Sequence, residues 1–299
     1  MKRILRAGAL ICAALVLGGC FVGKDTTKIP VHIGFKPVIG HDTRAVIEES
    51  VPFPQDRTFN VWALNTSDGS IVLPDEAISY TGNGWLASKK WPEAMLDFTA
   101  YWPTDLKPEY NKEKGVIIRN YKAGDTDLLV ARARCEYDSD TLVPLHFEHI
   151  LSRIDFRIQH SMEENIQMRL TKVTMNGLGF QGNYNVAGDQ TWDLVTHDET
   201  HTVYQAGPSA TPATTGLELT QKPFYLGESI FTIPQYTELY FTVEFLVRVG
   251  NGEWIPDSMR SSVNEIEWMP STHYTYTLNV TKSKLLAEPG ISNWNNRIE

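Results

Sequence analysis

Few residues in this sequence could do chemistry, and their spacing limits what each can do. His146-Phe147-Glu148-His149 is the densest group of potential metal ligands. On a strand, side chains alternate between faces, so His146 and Glu148 share one face while His149 points to the other. Three ligands cannot converge from that arrangement, and two make a poor metal site. The expectation is polar side chains on a solvent face. Asp125 with Asp127, and Asp138 with Asp140, lack the further oxygen ligands and the glycine of a calcium loop. They read as solvated turn residues. The sequence contains no G-x-S-x-G, H-E-x-x-H, P-loop or C-x-x-C pattern. No catalytic residue, metal ligand or cofactor is therefore assigned, and the chain reads as a protein other than an enzyme.

The first twenty residues carry a different chemistry. Lys2, Arg3 and Arg6 precede an apolar run from Ala7 to Leu17, which ends in Leu17-Gly18-Gly19-Cys20. A basic start, a short apolar stretch and small residues before a cut are the parts of a secretory signal. The run falls well short of the roughly 20 apolar residues a spanning helix needs. Small residues directly before a cysteine suit lipoprotein signal peptidase. Residues 1–19 are thus expected to be a lipoprotein signal peptide, with Cys20 as the site of lipidation. Two or more acyl chains, palmitate among them, hold a protein stably on a membrane without spanning it. Of the three cysteines, Cys12 leaves with the signal, Cys20 is acylated and Cys135 stands alone. The mature chain then has no internal disulfide, and Cys135 reads as a small buried hydrophobe in a strand.

Losing Lys2, Arg3 and Arg6 takes the formal net charge from −9 to −12. No basic cluster remains to pair with phosphates, which argues against nucleic acid. With 299 residues and 42% hydrophobic content, the chain can fill one large or two medium cores. Its dominant period is two, the signature of half-buried strands. Ile29, Val31, Ile33 and Phe35 alternate with Pro30, His32, Gly34 and Lys36. The same alternation runs through Leu96–Trp102, Ile154–Ile158, Leu239–Val249 and Tyr274–Val280. Between Ile166-Met168-Leu170 and Val173-Met175 the phase slips by one residue, as a β-bulge produces. Asn251-Gly252 supplies a turn, and Glu253-Trp254-Ile255 opens the return strand. No long amphipathic helix follows the signal. The expected fold is all-β, two β-sandwich domains with Greek-key connections in tandem. The polar stretch Tyr137–Thr141 separates residues 45–140 from residues 141–299, and Thr196–Thr215 reads as a long loop.

Several segments in order resemble the fimbrillin family, the subunits of type V pili in Bacteroidota. The lipobox is followed by a short arm and Asp42-Thr43-Arg44-Ala45, then by the aromatic strand Phe59-Asn60-Val61-Trp62-Ala63. Asn83-Gly84-Trp85 precedes Leu96-Asp97-Phe98-Thr99-Ala100-Tyr101-Trp102-Pro103, which is similar to the family's "LDFYAYYP" stretch. Asp127-Leu128-Leu129-Val130-Ala131 leads to Leu145-His146-Phe147-Glu148-His149-Ile150-Leu151-Ser152-Arg153-Ile154, which matches "L-x-F-x-H-x-L-S-[KR]-[IL]". Trp268, the Tyr274–Leu278 strand, Ile291 and Trp294 complete the series.

The resemblance implies transthyretin-like sandwiches, an outer-membrane lipoprotein precursor, and a final place in a cell-surface fimbrium that serves adhesion. It also implies partners: other pilus subunits, an arginine-specific maturation protease, the outer membrane through the lipid, and a host or bacterial surface ligand. Residues 20–44 then form a lipidated arm, cut between Arg44 and Ala45, and Ile29, Val31, Ile33 and Phe35 form the first strand that is displaced. If those four side chains fill a groove, their burial contributes roughly 1.5–3 kcal/mol each, about 6–12 in total. Arg57, the next arginine, lies too close to the Phe59 strand to be cut cleanly. The candidate donor is the C-terminal segment, either Tyr274, Tyr276, Leu278 and Val280 or the tail with Ile291 and Trp294. A reading from another class is a surface lipoprotein that binds glycans. It expects Trp62, Trp85, Trp91, Trp102 and Trp192 to line an exposed groove.

Overall fold

A period of two gives each strand one apolar face, and the protein buries those faces in curled and stacked sheets. The computed structural model describes residues 31–40, 50–137, 142–186, 190–208 and 215–294, and among them no helix occurs. The chain opens with β1 (His32–Ile39), β2 (Val51–Pro52), β3 (Thr58–Asn65), β4 (Ile71–Ser79), β5 (Trp85–Lys90) and β6 (Leu96–Trp102). A hairpin of β7 (Glu109–Asn111) and β8 (Gly115–Lys122) precedes β9 (Leu129–Cys135) and β10 (Val143–His149). Next come β11 (Ser152–His160), β12 (Ile166–Leu178), β13 (Gln181–Asn185), β14 (Trp192–Leu194), β15 (Glu199–Gln205) and β16 (Leu217–Leu219). The chain continues through β17 (Phe224–Tyr225), β18 (Ile230–Thr232), β19 (Tyr236–Val249) and β20 (Ile255–Arg260). It closes with β21 (Asn264–Glu267), β22 (Thr272–Val280) and β23 (Leu285–Asn293).

The first sheet runs β2-β1-β10-β9-β6-β3-β4, with β5 also paired to β1. It curls until Tyr80, just past β4, bridges Trp85 at the start of β5. Inside lies a core built on Phe35, Phe53, Phe59, Phe98 and Phe147. Two more sheets, β17-β11-β22-β23 and β15-β12-β19-β20, supply a second core around Phe156, Phe241, Phe245, Trp268 and Tyr276. A fourth sheet, β14-β13-β8-β7, takes two strands from before β10 and two from after it. It covers a third cluster that includes Tyr101, Ile118, Tyr121, Phe231 and Trp294. Although β10 follows residues 138–141, it pairs with β1 and β9. The chain leaves the first sheet for good at Ile150–Leu151, and strands from before and after that point meet in the fourth sheet.

The slip in β12 is a bulge between Leu170 and Lys172 against β19, and Asn251-Gly252 turns β19 into β20 with Val247 opposite Ile255. The Thr-rich stretch departs from expectation. Rather than a loop throughout, it holds β15, which pairs with β12 from Gln205 opposite Lys172 to Glu199 opposite Leu178. Threonine is β-branched and suits a half-solvated sheet surface, so its abundance marked a strand as much as a loop.

Candidate functional site: the first and last strands

β1 is an interior strand. On one side Phe35–Ile39 run parallel to Val143–Phe147 of β10. On the other, Val38 and Ile39 face β2, while His32, Gly34 and Phe35 face β5. Ile33, Phe35, Pro37 and Ile39 are buried. The Phe35 ring meets Phe59 and Phe98 edge to face at 6.1 and 5.9 Å. The strand reaches four residues past Phe35, because Pro37 needs no N–H partner and its carbonyl accepts from Phe53 N at 3.2 Å. Val31 is half-buried, and its carbonyl accepts from Trp91 N at 2.9 Å. Gly34 lies where an added Cβ would stand 2.6 Å from Leu142 Cδ2. Ile29, Cys20, Arg44 and Ala45 fall outside the described residues.

The candidate donor segments occupy different settings. β22 lies inside its sheet between β11 and β23, and Tyr274, Tyr276, Leu278 and Val280 all belong to the second core. Burial pushes the Tyr276 hydroxyl up to about 12, and it accepts from the Trp268 indole N–H at 3.1 Å. β23 is an edge strand, paired to β22 from Leu285 opposite Val280 to Asn293 opposite Thr272. Its first residue is buried, but Glu288 through Asn293 are exposed and Ile291 is 71% exposed.

Trp294 pins the far end of β23. It is 6% exposed and stacks between the His149 ring, at 4.1 Å, and the Phe231 ring, at 5.4 Å. Asp127 orients that imidazole: its Oδ2 lies 2.6 Å from His149 Nδ1, and its Oδ1 accepts from Leu128 N at 2.7 Å. Asp127 and His149 are both buried. This corrects two sequence expectations, a solvated turn for Asp127 and a solvent face for His149. Strand alternation carried the needed signal: His149 shares parity with the buried Val143, Leu145 and Phe147. What sequence could not supply was Asp127 and Trp294, 22 residues before and far beyond it, arriving at one ring. The Ser271 hydroxyl donates to the His149 carbonyl at 2.6 Å rather than to its ring. The Asp127–His149 pair holds a ring in place for Trp294 to cover.

Beside His149 is a hollow of about 410 Å³ lined in part by Tyr184, Trp192, Gln235 and Trp268. Several of its polar groups are committed to the protein, whereas the buried His149 Nε2 has no hydrogen-bond partner. Gln235 exchanges hydrogen bonds with Gly179 and also donates to the Ile233 carbonyl, and the Trp192 indole N–H donates to Ile150 O. Four of the five tryptophans expected to line an exposed glycan groove are withdrawn from such a surface, whereas Trp192 is half-buried against Tyr121 and Tyr184 and lines the hollow. Trp85, Trp91 and Trp102 are buried, while Trp62 is half-buried and stacked on Tyr110. Cys135 ends β9 half-buried, and burial pushes its thiol up, away from the thiolate a reactive cysteine needs.

Comparison with known proteins agrees with this architecture. A fimbrial protein from Bacteroides vulgatus superposes with a TM-score of 0.63 at 13% identity, covering 88% of this chain and 99% of that one. A candidate cell adhesion protein from Bacteroides ovatus gives 0.55 at 15% identity, covering 91% and 100%. Another from Bacteroides uniformis gives 0.53 at 15%, covering 88% and 98%. At such identities the likeness establishes the fold alone. No curated protein sequence matches the chain. The sequence profile described as fimbrillin-like matches residues 43–294, nearly all of the sequence after the predicted arm, and the chain therefore belongs to the fimbrillin-like family.

Proposed function

We propose that this chain is a subunit of a type V fimbria, exported as an outer-membrane lipoprotein through Cys20, cut after Arg44 and assembled by strand exchange. Two tandem transthyretin-like sandwiches serve as its building blocks. Other pilus subunits and an arginine-specific protease are its partners in assembly, and a surface ligand is its partner in adhesion. The observation that carries this reading is the place of β1. It fills the first core with Ile33, Phe35 and Ile39, has a neighbour on each side, and joins the rest of the protein through residues 40–50, which include Arg44.

While that connection is intact, the effective concentration of β1 excludes any competing strand. Once it is cut, β1 becomes a separate peptide held by backbone rungs and by roughly 1.5–3 kcal/mol for each buried side chain. Its departure leaves the edges of β10 on one side and of β2 and β5 on the other unpaired, which is the template for strand addition. The same cut frees the subunit from the lipid on Cys20. Of the candidate donors, β22 is committed to its own core, whereas β23 lies on a sheet edge with its distal half in solvent. The donor is therefore β23 and the tail that follows it.

The test is limited trypsin digestion of the protein beginning after Cys20, read by intact mass, size-exclusion chromatography and unheated SDS gels. The expected result is Ala45 as a new N-terminus, followed by SDS-resistant ladders, with an Arg44→Gln variant remaining monomeric. A clean cut at Arg44 that leaves a stable monomer would overturn strand exchange. Persistent resistance at Arg44 would overturn the maturation step.

A further inference from the structure

The hollow beside His149 is walled by residues 148–150 at the end of β10, by Tyr184 and Trp192 of β13 and β14, and by residues 234–236 and 267–271. Its volume of about 410 Å³ falls within the roughly 300–1,000 Å³ of small-ligand sites. Among the described residues that line it none is lysine or arginine, whereas Glu148 and Glu267 both line it. Trp192 is held at three points. Its indole N–H donates to Ile150 O at 3.0 Å, and its ring packs on Tyr184 and Tyr121 at centroid distances of 4.9 and 5.7 Å. Tyr236, also on the wall, is 66% exposed. A hydrogen bond to Glu265 raises the pKa of its hydroxyl, and the charges of Glu265, Glu238 and Glu267 push it the same way. The rim therefore carries a negative potential.

The donors of the buried walls are turned back into the fold. Trp192 and Gln235 give theirs to backbone carbonyls, Trp268 gives its indole N–H to the Tyr276 hydroxyl, and Ser271 gives its proton to the His149 carbonyl. His149 Nε2 is buried with no partner. Because the Asp127 carboxylate accepts from Nδ1, Nε2 of the neutral ring is an acceptor. Aromatic faces, carboxylates and an unmet acceptor suit a ligand that donates and carries positive charge. The hydroxyls of a saccharide also call for donors, and an anion meets two glutamates.

We infer that the hollow binds an organic cation, the guanidinium or ammonium group that an arginine or lysine side chain presents, against the Trp192 and Tyr236 rings with Glu267 as counter-charge. A planar guanidinium can stack on an aromatic face while its N–H groups reach a carboxylate beside it. The inference gives a chemical class to the surface ligand of the proposed adhesion, and it rests on that reading for its biological setting alone. No residue described as lining the hollow belongs to β1 or β23, so the site requires no step of strand exchange.

The experiment titrates the uncut chain beginning after Cys20 with N-acetyl-arginine methylamide and with its uncharged isostere, the citrulline derivative, followed by saturation-transfer NMR. Saturable binding of the arginine probe is expected, with roughly tenfold weaker binding of the citrulline one. Trp192→Ala should weaken the arginine probe roughly 2- to 30-fold, and Trp192→Phe, which keeps an aromatic face, less so. Glu267 is exposed, so Glu267→Gln reads binding without a folding defect, and a loss of about 2- to 5-fold is expected. Equal binding of the two probes would overturn the cation, and binding of methyl galactoside in their place would assign the hollow to a saccharide. Arginine binding left unchanged by both Trp192→Ala and Glu267→Gln would reflect the acidic chain as a whole and remove the hollow as the site. No saturable binding of any probe overturns the inference outright. Tighter binding of an acetylated Gly-Arg-Gly amide than of spermidine places the cation on a polypeptide, and the reverse order places it on a free polyamine. Because the titration uses uncut monomer, its failure leaves the Arg44 ladder test standing.

Discussion

β1 and β11 occupy equivalent places in their sheets but are secured in different ways. Each has a parallel partner on one side, β10 for β1 and β22 for β11, and two short antiparallel partners on the other. Each presents a buried phenylalanine, Phe35 or Phe156, edge to face with another aromatic ring. The parallel pairing spans five rungs for β1 and eight for β11. β11 alternates without proline or glycine, and its outer face is bound sideways through side chains. Asp155 accepts from Ser229 at 2.5 Å and meets His273 of β22 at 2.9 Å, and Arg153 donates to Ser229. β1 instead carries Gly34, Pro37 and an exposed Lys36. The same slot geometry thus holds β11 with a network of side-chain bonds on its outer face, and holds β1 chiefly through burial of Ile33, Phe35 and Ile39.

The largest expected effect separates the two phenylalanines. Phe35→Ala and Phe156→Ala should each destabilise the uncut protein by about 3–5 kcal/mol in urea titrations. After cutting and assembly, Phe35→Ala ladders should match the parent, because β1 has left, whereas Phe156→Ala ladders should remain weak. Equal weakness in both would show that β1 stays. Trp294→Ala should cost about 3 kcal/mol, the lower end for a buried aromatic, because the site is terminal. Hydrogen exchange across Leu285–Asn293 should accelerate while β1 is unchanged; protection that persists in β23 would mean that its rungs with β22 suffice. Asp155→Ala leaves Arg153 and His273 without their carboxylate and should cost about 1–3 kcal/mol, with faster exchange in β11 but not in β1.

The smallest effect is one of pH. His160 closes β11, and burial lowers its pKa below the usual value, in keeping with Met162 N donating to its Nδ1 at 3.2 Å. The neutral ring is the folded form, so the unfolded chain binds more protons and stability falls as the pH drops below about 6.5. His160→Gln should flatten the decline of the urea midpoint between pH 7.5 and 5, and an unaltered slope would assign the acid sensitivity elsewhere.

Strand identity was largely legible because period two is a local property. β6 coincides with the Leu96–Trp102 alternation, and the bulge in β12 falls where the phase slips. β15 was hidden because threonine serves loops and half-exposed strands alike. Asp127 was misread because an aspartate near a turn is usually solvated, and nothing near it in sequence announces the His149 ring that it meets in the fold.

The sequence by itself determined the all-β class, the positions of the principal strands and membership in the fimbrillin-like family, since local alternation and ordered short motifs survive without three-dimensional information. Only the tertiary structure decided that β1 is an interior strand paired along both edges, that β22 is core while β23 is an edge, and that Trp294 rests on a ring aligned by Asp127. Those outcomes depend on which distant strands pair. A strand's own residues fix the face it buries, whereas the partners along its edges are chosen by the fold as a whole.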